Sequence, residues 1–239
     1  VAVIAEGDLQ GITASGIATV AEGRLQGIHG AGLAVITEGG MDGIAVGGLA
    51  AISEGSVHGV AVGGLASISD GDMTGISVGG LATIADGSLT GISVGGLGVI
   101  SDGPITGVNV GGLGVIADGP IRGISVGGIG IVSDGPVEGV NVGGVGIVTE
   151  EQARWLSVAG LGIVAGEVQG LAAAAYVRTE AQNGAAIAVH NDVRGNNGGI
   201  AIGLYNYARE SKGVMLGILN YVRNNPKGLR LLPVFNTNF

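Results

Sequence analysis

Aliphatic residues return along this chain with a period of 16, beginning at Val1 and persisting to about Ala165. One unit reads LATIADGSLTGISVGG over residues 81–96, and Gly-Gly pairs close successive units at Gly47, Gly63, Gly79, Gly95, Gly111, Gly127 and Gly143. An acidic residue marks the middle of each unit, running from Glu6 through Asp134 and on to Glu150. A half-period of eight divides the unit into two sides that share the frame L-x-x-I-x-(D or V)-G-x. Each side is too short for a helix that could bury a face, and short Ile- and Val-rich runs bounded by Gly, Asp or Pro read as strands. A unit of two strands and two corners, repeated in register without insertions, predicts an all-β fold. That fold is a β-solenoid (β-helix) of about ten 16-residue coils, stacked at about 4.8 Å per coil.

The pattern also suggests which columns face inward. The bulkiest aliphatics, Ile4, Val20, Ile36 and their successors to Val164, with Ile12, Ile28, Ile44 and theirs to Leu156, are expected as two facing inner ladders. The column of Ser77, Ser93, Asn109, Ser125 and Asn141 is then expected to face solvent. On the same reading, Thr19 and Ala21, Ser67 and Ser69, and Thr83 and Ala85 form an outward row of small residues. A flat hydroxyl row of that kind raises an ice-binding possibility, which the mixed column disfavours. Glycine is expected at the corners, where φ is positive or two backbones approach closely.

At Thr149 the corner becomes TEEQARWL, and Thr149 followed three residues on by Gln152 predicts a single projecting helical turn over the excursion 149–156. That segment carries Arg154 and the only tryptophan, Trp155, so both are candidates for an interaction site; a bulged corner laid on its own coils is favoured over a docking knob. Residues 1–165 thus form a regular region, and 166–239 a divergent one with steps of about 14 to 16 residues. In the divergent region Asn191, Asn206, Asn220 and Asn236 are expected to stack as an asparagine ladder, and the tail bearing Pro226, Arg230, Pro233, Phe235 and Phe239 to cap the stack. The stretch from Gly203 to Phe239, with G-x-x-x-G-x-x-N units and the closing segment NNPKGLRLLP, resembles bacterial glycine-rich surface-repeat proteins. The resemblance covers residues 185–239 closely and the GISVGGLA-type units more loosely. It implies an exported protein of the bacterial envelope or cell surface, and it carries no catalytic residue.

Composition narrows the chemistry. Glycine, at 52 of 239 residues, outnumbers the 29 charged residues, yet there is no G-X-Y triplet and 46% of residues are hydrophobic, which excludes collagen and disorder. With no cysteine there is no disulfide, thiolate metal site or thiol nucleophile. No run reaches the length of a transmembrane helix, and no signal peptide is recognisable at Val1. Residues 1–151 hold two basic and fifteen acidic residues, a net of −13, and residues 152–239 hold eight basic and four acidic, a net of +4. The overall charge of −9 argues against nucleic acid as a partner.

Three G-x-S-x-G matches, at Ser77, Ser93 and Ser125, lack the strand-to-helix turn and the His and Asp partners of a nucleophile elbow. His29, His58 and His190 fall in different columns and form no metal set. The acidic row, with Asp70, Asp86, Asp102, Asp118 and Asp134 as weak metal candidates, places like charges about 4.8 Å apart. Hydrogen bonds from turn N–H groups, or calcium, would offset that repulsion. No cofactor is otherwise implied. The expectation is a non-enzymatic structural protein of the surface, docking end to end with a second copy or another envelope protein through an uncapped edge at Val1 and Val3. The alternatives are an adhesin that binds calcium or a glycan on the acidic edge, an ice-binding protein, and a solenoid enzyme acting on carbohydrate. The last needs clustered carboxylates and aromatics, whereas no aromatic residue precedes Trp155. Phe235 and Phe239 hint at outer-membrane association.

Overall fold

A computed structural model describes residues 1–238, so Phe239 and the hint it carries lie outside the described residues. The chain is all-β, a β-solenoid of about fourteen coils with no helix among the described residues. It comprises 25 strands in two compact units, Val1–Gly127 and Gly128–Phe239, and the change of repeat length near residue 165 falls inside the second.

In the first unit every coil contributes a short strand and a longer one. The series starts with β1 (Val3–Ala5), β2 (Leu9–Ser15), β3 (Ala18–Ala21) and β4 (Leu25–Ala31), and repeats to β16 (Ile121–Gly127). Each strand pairs in parallel with its equivalent 16 residues away, as in Ile4↔Val20, Ile76↔Ile92 and Ile84↔Ile100. The corners stack too. Leu49 N–H donates to the Leu33 carbonyl at 2.7 Å, and Asp86 N–H to that of Ser69 at 3.0 Å.

The coil interior is the opposite of the one expected. Ile12 is 82% exposed at the end of the stack and Ile76 still 40% within it, so the Ile and Val columns lie on the outer faces. The buried side chains are their odd-numbered neighbours. Leu25, Met41, Val57, Met73, Leu89, Ile105 and Ile121 form one inner column, and Thr19, Val35, Ala51, Ser67, Thr83, Val99 and Val115 another. Ser77, Ser93, Asn109 and Ser125, expected outside, are buried, and so are Thr19, Ser67, Ser69, Thr83 and Ala85, which removes the ice-binding row. Strand side chains alternate with a period of two, so a one-residue error inverts every assignment.

The physical reason for this inversion lies at the corner. A Cβ on Gly47 or Gly63 would strike the carbonyl oxygen of Ala50 or Ala66, because the two strands of a coil nearly meet there. So narrow an interior admits small residues beside a single large one. Within a coil the two inner columns trade size: Ser67 accompanies Met73 and Thr83 accompanies Leu89. In the second unit Ile131 accompanies Val137, and Ile147 accompanies Ala153. Buried hydroxyls bond the backbone instead of water: Thr83 Oγ1 donates to the Val94 carbonyl at 2.7 Å and accepts from Gly79 N–H at 3.1 Å.

The second unit runs from β17 (Gly130–Ser133) and β18 (Val137–Gly143) into longer strands. These are β19 (Gly146–Ala159), β20 (Gly162–Val168), β21 (Leu171–Gln182), β22 (Ala185–Asn197), β23 (Ile200–Ser211) and β24 (Val214–Val222). No helical turn occurs at 149–156; β19 runs straight through it, pairing Val137↔Ala153 to Gly143↔Ala159. Against β20 the register slips between Thr149 and Gln152, so the corner survives as a bulge.

The asparagine ladder forms over Asn191, Asn206 and Asn220, whereas Asn236, the expected fourth rung, lies on an antiparallel strand and donates to the Asn220 backbone carbonyl at 2.9 Å. Asn191 Nδ2 donates to Asn206 Oδ1 and Asn206 Nδ2 to Asn220 Oδ1, each at 2.7 Å, inside the coils. A last strand, β25 (Leu231–Asn236), closes β24 in antiparallel pairing. Asn225 of the closing segment is buried, donating to the Thr237 carbonyl at 2.7 Å and accepting Arg230 Nε at 2.9 Å on its own carbonyl.

Candidate functional site

What the coils turn outward decides what they can bind. In the first unit the apolar outward positions are Ile, Val and Leu, with Ile76, Ile92 and Val108 on the long strands beside a polar column that includes Asp42, His58, Thr74 and Thr90, and Leu65, Leu81 and Leu97 at the Gly-Gly corner. Stacking covers the flanks of each β-branched side chain, which falls from about four-fifths exposed at Ile12 to two-fifths at Ile76. Such ladders stabilise parallel strands. They also leave faces whose apolar surface continues from coil to coil, and contiguous exposed apolar surface marks a contact site. The second unit continues the theme with an open apolar depression of about 930 Å³, walled by Ile187, Ile202, Leu216 and Val189, Leu204, Ile218 over a floor that includes Ala188 and Gly203.

The acidic corner carries the longest row of charge. Asp70, Asp86, Asp102 and Asp118, and Asp134 in the second unit, are exposed, and none accepts a turn N–H. Hydroxyls beneath them fasten the turn instead. Ser69 Oγ donates to the Gly55 carbonyl at 2.9 Å and accepts Gly71 N–H at 3.2 Å; Ser101 repeats both bonds with Gly87 and Gly103. Two residues beyond the acidic column, Asp72 Oδ1 accepts the N–H and the O–H of Ser88, both at 2.7 Å. Those bonds, the backbone one first, hold its carboxyl below the usual range. Among the described residues no group of three or more His, Asp or Glu side chains gathers to hold a metal ion.

The histidines lie apart. His29 is buried with neither ring nitrogen bonded to protein, His58 faces Asp42 at 3.5 Å, and His190 lies edge-on between Tyr176 and Tyr205.

Trp155 is 76% exposed and has φ of 73°. Its register partner Gly139 and the equivalent residues from Gly11 to Gly123 are all glycines with positive φ, so the indole stands where every preceding coil requires glycine. The ring projects into solvent, contrary to the expected bulged corner laid on its own coils. Arg154 is held down beside it: one guanidinium nitrogen reaches Glu138 Oε1 at 2.6 Å and another Gln169 Oε1 at 3.1 Å, which leaves Trp155 as the projecting member of the pair. Val1 is exposed, and the edge strand β1 is paired only with β3.

One surface was missed from sequence. HNDVR (190–194), YNYAR (205–209) and LNYVR (219–223) repeat one pattern, in which Asn and Val or Ala point inward while the residues between them point outward. The asparagines were conspicuous as a ladder; the arginines and tyrosines of the same pattern form its outer face.

Comparison with models of protein families, with curated proteins and with solved structures finds no match for this chain.

Proposed function

We propose that this chain is a non-enzymatic structural protein of a bacterial surface or envelope, a scaffold that associates through the apolar outer faces of its coils. The observation that carries the reading is the outward placement of the Ile, Val and Leu columns, which repeat from coil to coil. Two such faces packed sheet on sheet, about 10 Å apart, would remove both from water while the acidic corners stay wet. The resemblance of residues 185–239 to surface-repeat proteins supports the envelope setting.

The test is light scattering and electron microscopy over a concentration series, on the wild type and on a variant carrying Ile76→Lys, Ile92→Lys and Val108→Lys. All three side chains point outward, so folding is expected to persist by circular dichroism. Concentration-dependent assembly that the triple variant abolishes supports the proposal. Single particles at every concentration, with no binding of an apolar dye, would overturn it.

A further inference from the structure

Strands β21 to β24 turn a second kind of face outward, on which all four tyrosines of the chain lie. Strand register places Tyr176, His190 and Tyr205 in one column and Arg178, Asp192, Tyr207 and Tyr221 in the next. The third column begins with Glu180 on β21 and is basic over the next three coils. Arg194, Arg209 and Arg223 follow the inward residues Val193, Ala208 and Val222 one coil apart, and Arg223 N–H donates to the Ala208 carbonyl at 3.0 Å. Between these columns lies an open depression of about 460 Å³.

The charges in this depression are unbalanced. Asp192 accepts the Tyr176 hydroxyl at 3.0 Å and Arg194 Nε at 3.4 Å, so that carboxylate is already engaged. Arg209 and Arg223, both exposed, have no acidic partner among the described residues. Two exposed arginines one coil apart without counter-charge call for an anion, and their planar forks suit carboxylates. The tyrosines say what else the ligand carries. Tyr207 and Tyr221 stack face to face, with centroids 5.6 Å apart and 6° between their planes, so each ring covers a face of the other. Nucleobases need free ring faces for stacking; a ladder of this kind offers ring edges and hydroxyls. Burial raises the Tyr205 phenol above its ordinary range, first among causes, so it remains a neutral donor.

We propose that the outer face of β22, β23 and β24 binds an acidic polysaccharide, a chain of uronic-acid sugars lying along the stack. Its carboxylates pair with Arg209 and Arg223, and its hydroxyls bond the tyrosine hydroxyls beside them. One sugar of an extended pyranose chain advances by close to one coil height of about 4.8 Å, so successive coils meet successive sugars. This site shares no residue with the apolar faces of the first unit and stands or falls independently of them.

The experiment is calorimetric titration of the full chain with an oligogalacturonate, its methyl-esterified neutral form, inorganic polyphosphate and a single-stranded oligonucleotide. Binding of the oligogalacturonate alone, weakened by salt, is expected. The Arg209→Ala/Arg223→Ala variant should lose about tenfold in affinity or more per arginine, with its melting temperature unchanged. Lys212→Ala, an exposed cation at the neighbouring turn, should bind as the wild type does. No binding of the oligogalacturonate, equal binding of polyphosphate or oligonucleotide, or full affinity in the double variant would each overturn the proposal.

Discussion

Asn206 and Asn141 are both fully buried asparagines, yet they occupy opposite situations. Asn206 accepts from Asn191 and donates to Asn220 and to the Leu216 carbonyl at 2.9 Å. Asn206→Ala removes three bonds and strands two neighbours, so a loss of about 3 kcal/mol is expected at about 1 kcal/mol per bond. In a thermal melt that is a fall of roughly 6–12 °C. Asn141 has neither amide atom bonded to protein, and Ser157 stands one coil on. Asn141→Ser should therefore leave the melting temperature unchanged or raise it. Trp155 tests the same logic in the backbone. A non-glycine residue at positive φ carries a strain of about 1 kcal/mol. Trp155→Gly should raise the melting temperature by roughly 2–4 °C, while the wild-type indole should emit as a water-exposed tryptophan open to acrylamide quenching.

Corners, more than strands, set what each coil can do. The corner at Asp72 and Ser88 is tied by hydrogen bonds to a carboxylate whose folded form binds its proton less readily than the unfolded chain does. Its contribution to stability is therefore present above the ordinary carboxylate range and lost as pH falls through it. Exposure screens the effect. The difference in melting temperature between the wild type and Asp72→Asn should be positive at neutral pH and shrink towards zero in acid, and a difference independent of pH would contradict it. At the other corner, the close approach beside Gly47 and Gly63 sets a narrow interior, which holds Leu89 or Ile105 on the inner column and leaves the Ile76 and Ile92 column outside.

Across whole units, the acidic row makes stability depend on salt. Carboxylates such as Asp86, Asp102 and Asp118 follow one another at coil height with no counter-charge on the row. Raising ionic strength from about 0.01 M to about 0.15 M shortens the Debye length from about 30 Å to about 8 Å. The melting temperature of the protein should rise over that range, and a fall would show that attractive pairs such as Arg24 with Asp42 at 3.3 Å dominate instead. Association through the apolar faces follows the opposite chemistry, because it removes uncharged surface from water and gains from salts that are excluded from that surface.

The sequence by itself determined the solenoid, the coil length, the acidic corner and the asparagine ladder from Asn191 to Asn220. Each of these is a periodicity or a local rule, and stacking copies a period directly into columns. Which side of each column faces in was decided only by tertiary structure. A strand such as GISVG alternates between two sets that could each fill a core, Ile and Val or Ser and Gly. The choice depends on how closely the two sheets of a coil approach, and that distance is fixed by the corner, where backbone meets backbone beside Gly47. The arginine and tyrosine face was hidden for the same reason: its members alternate with the asparagines, and they become a surface only once the asparagines are known to be inside.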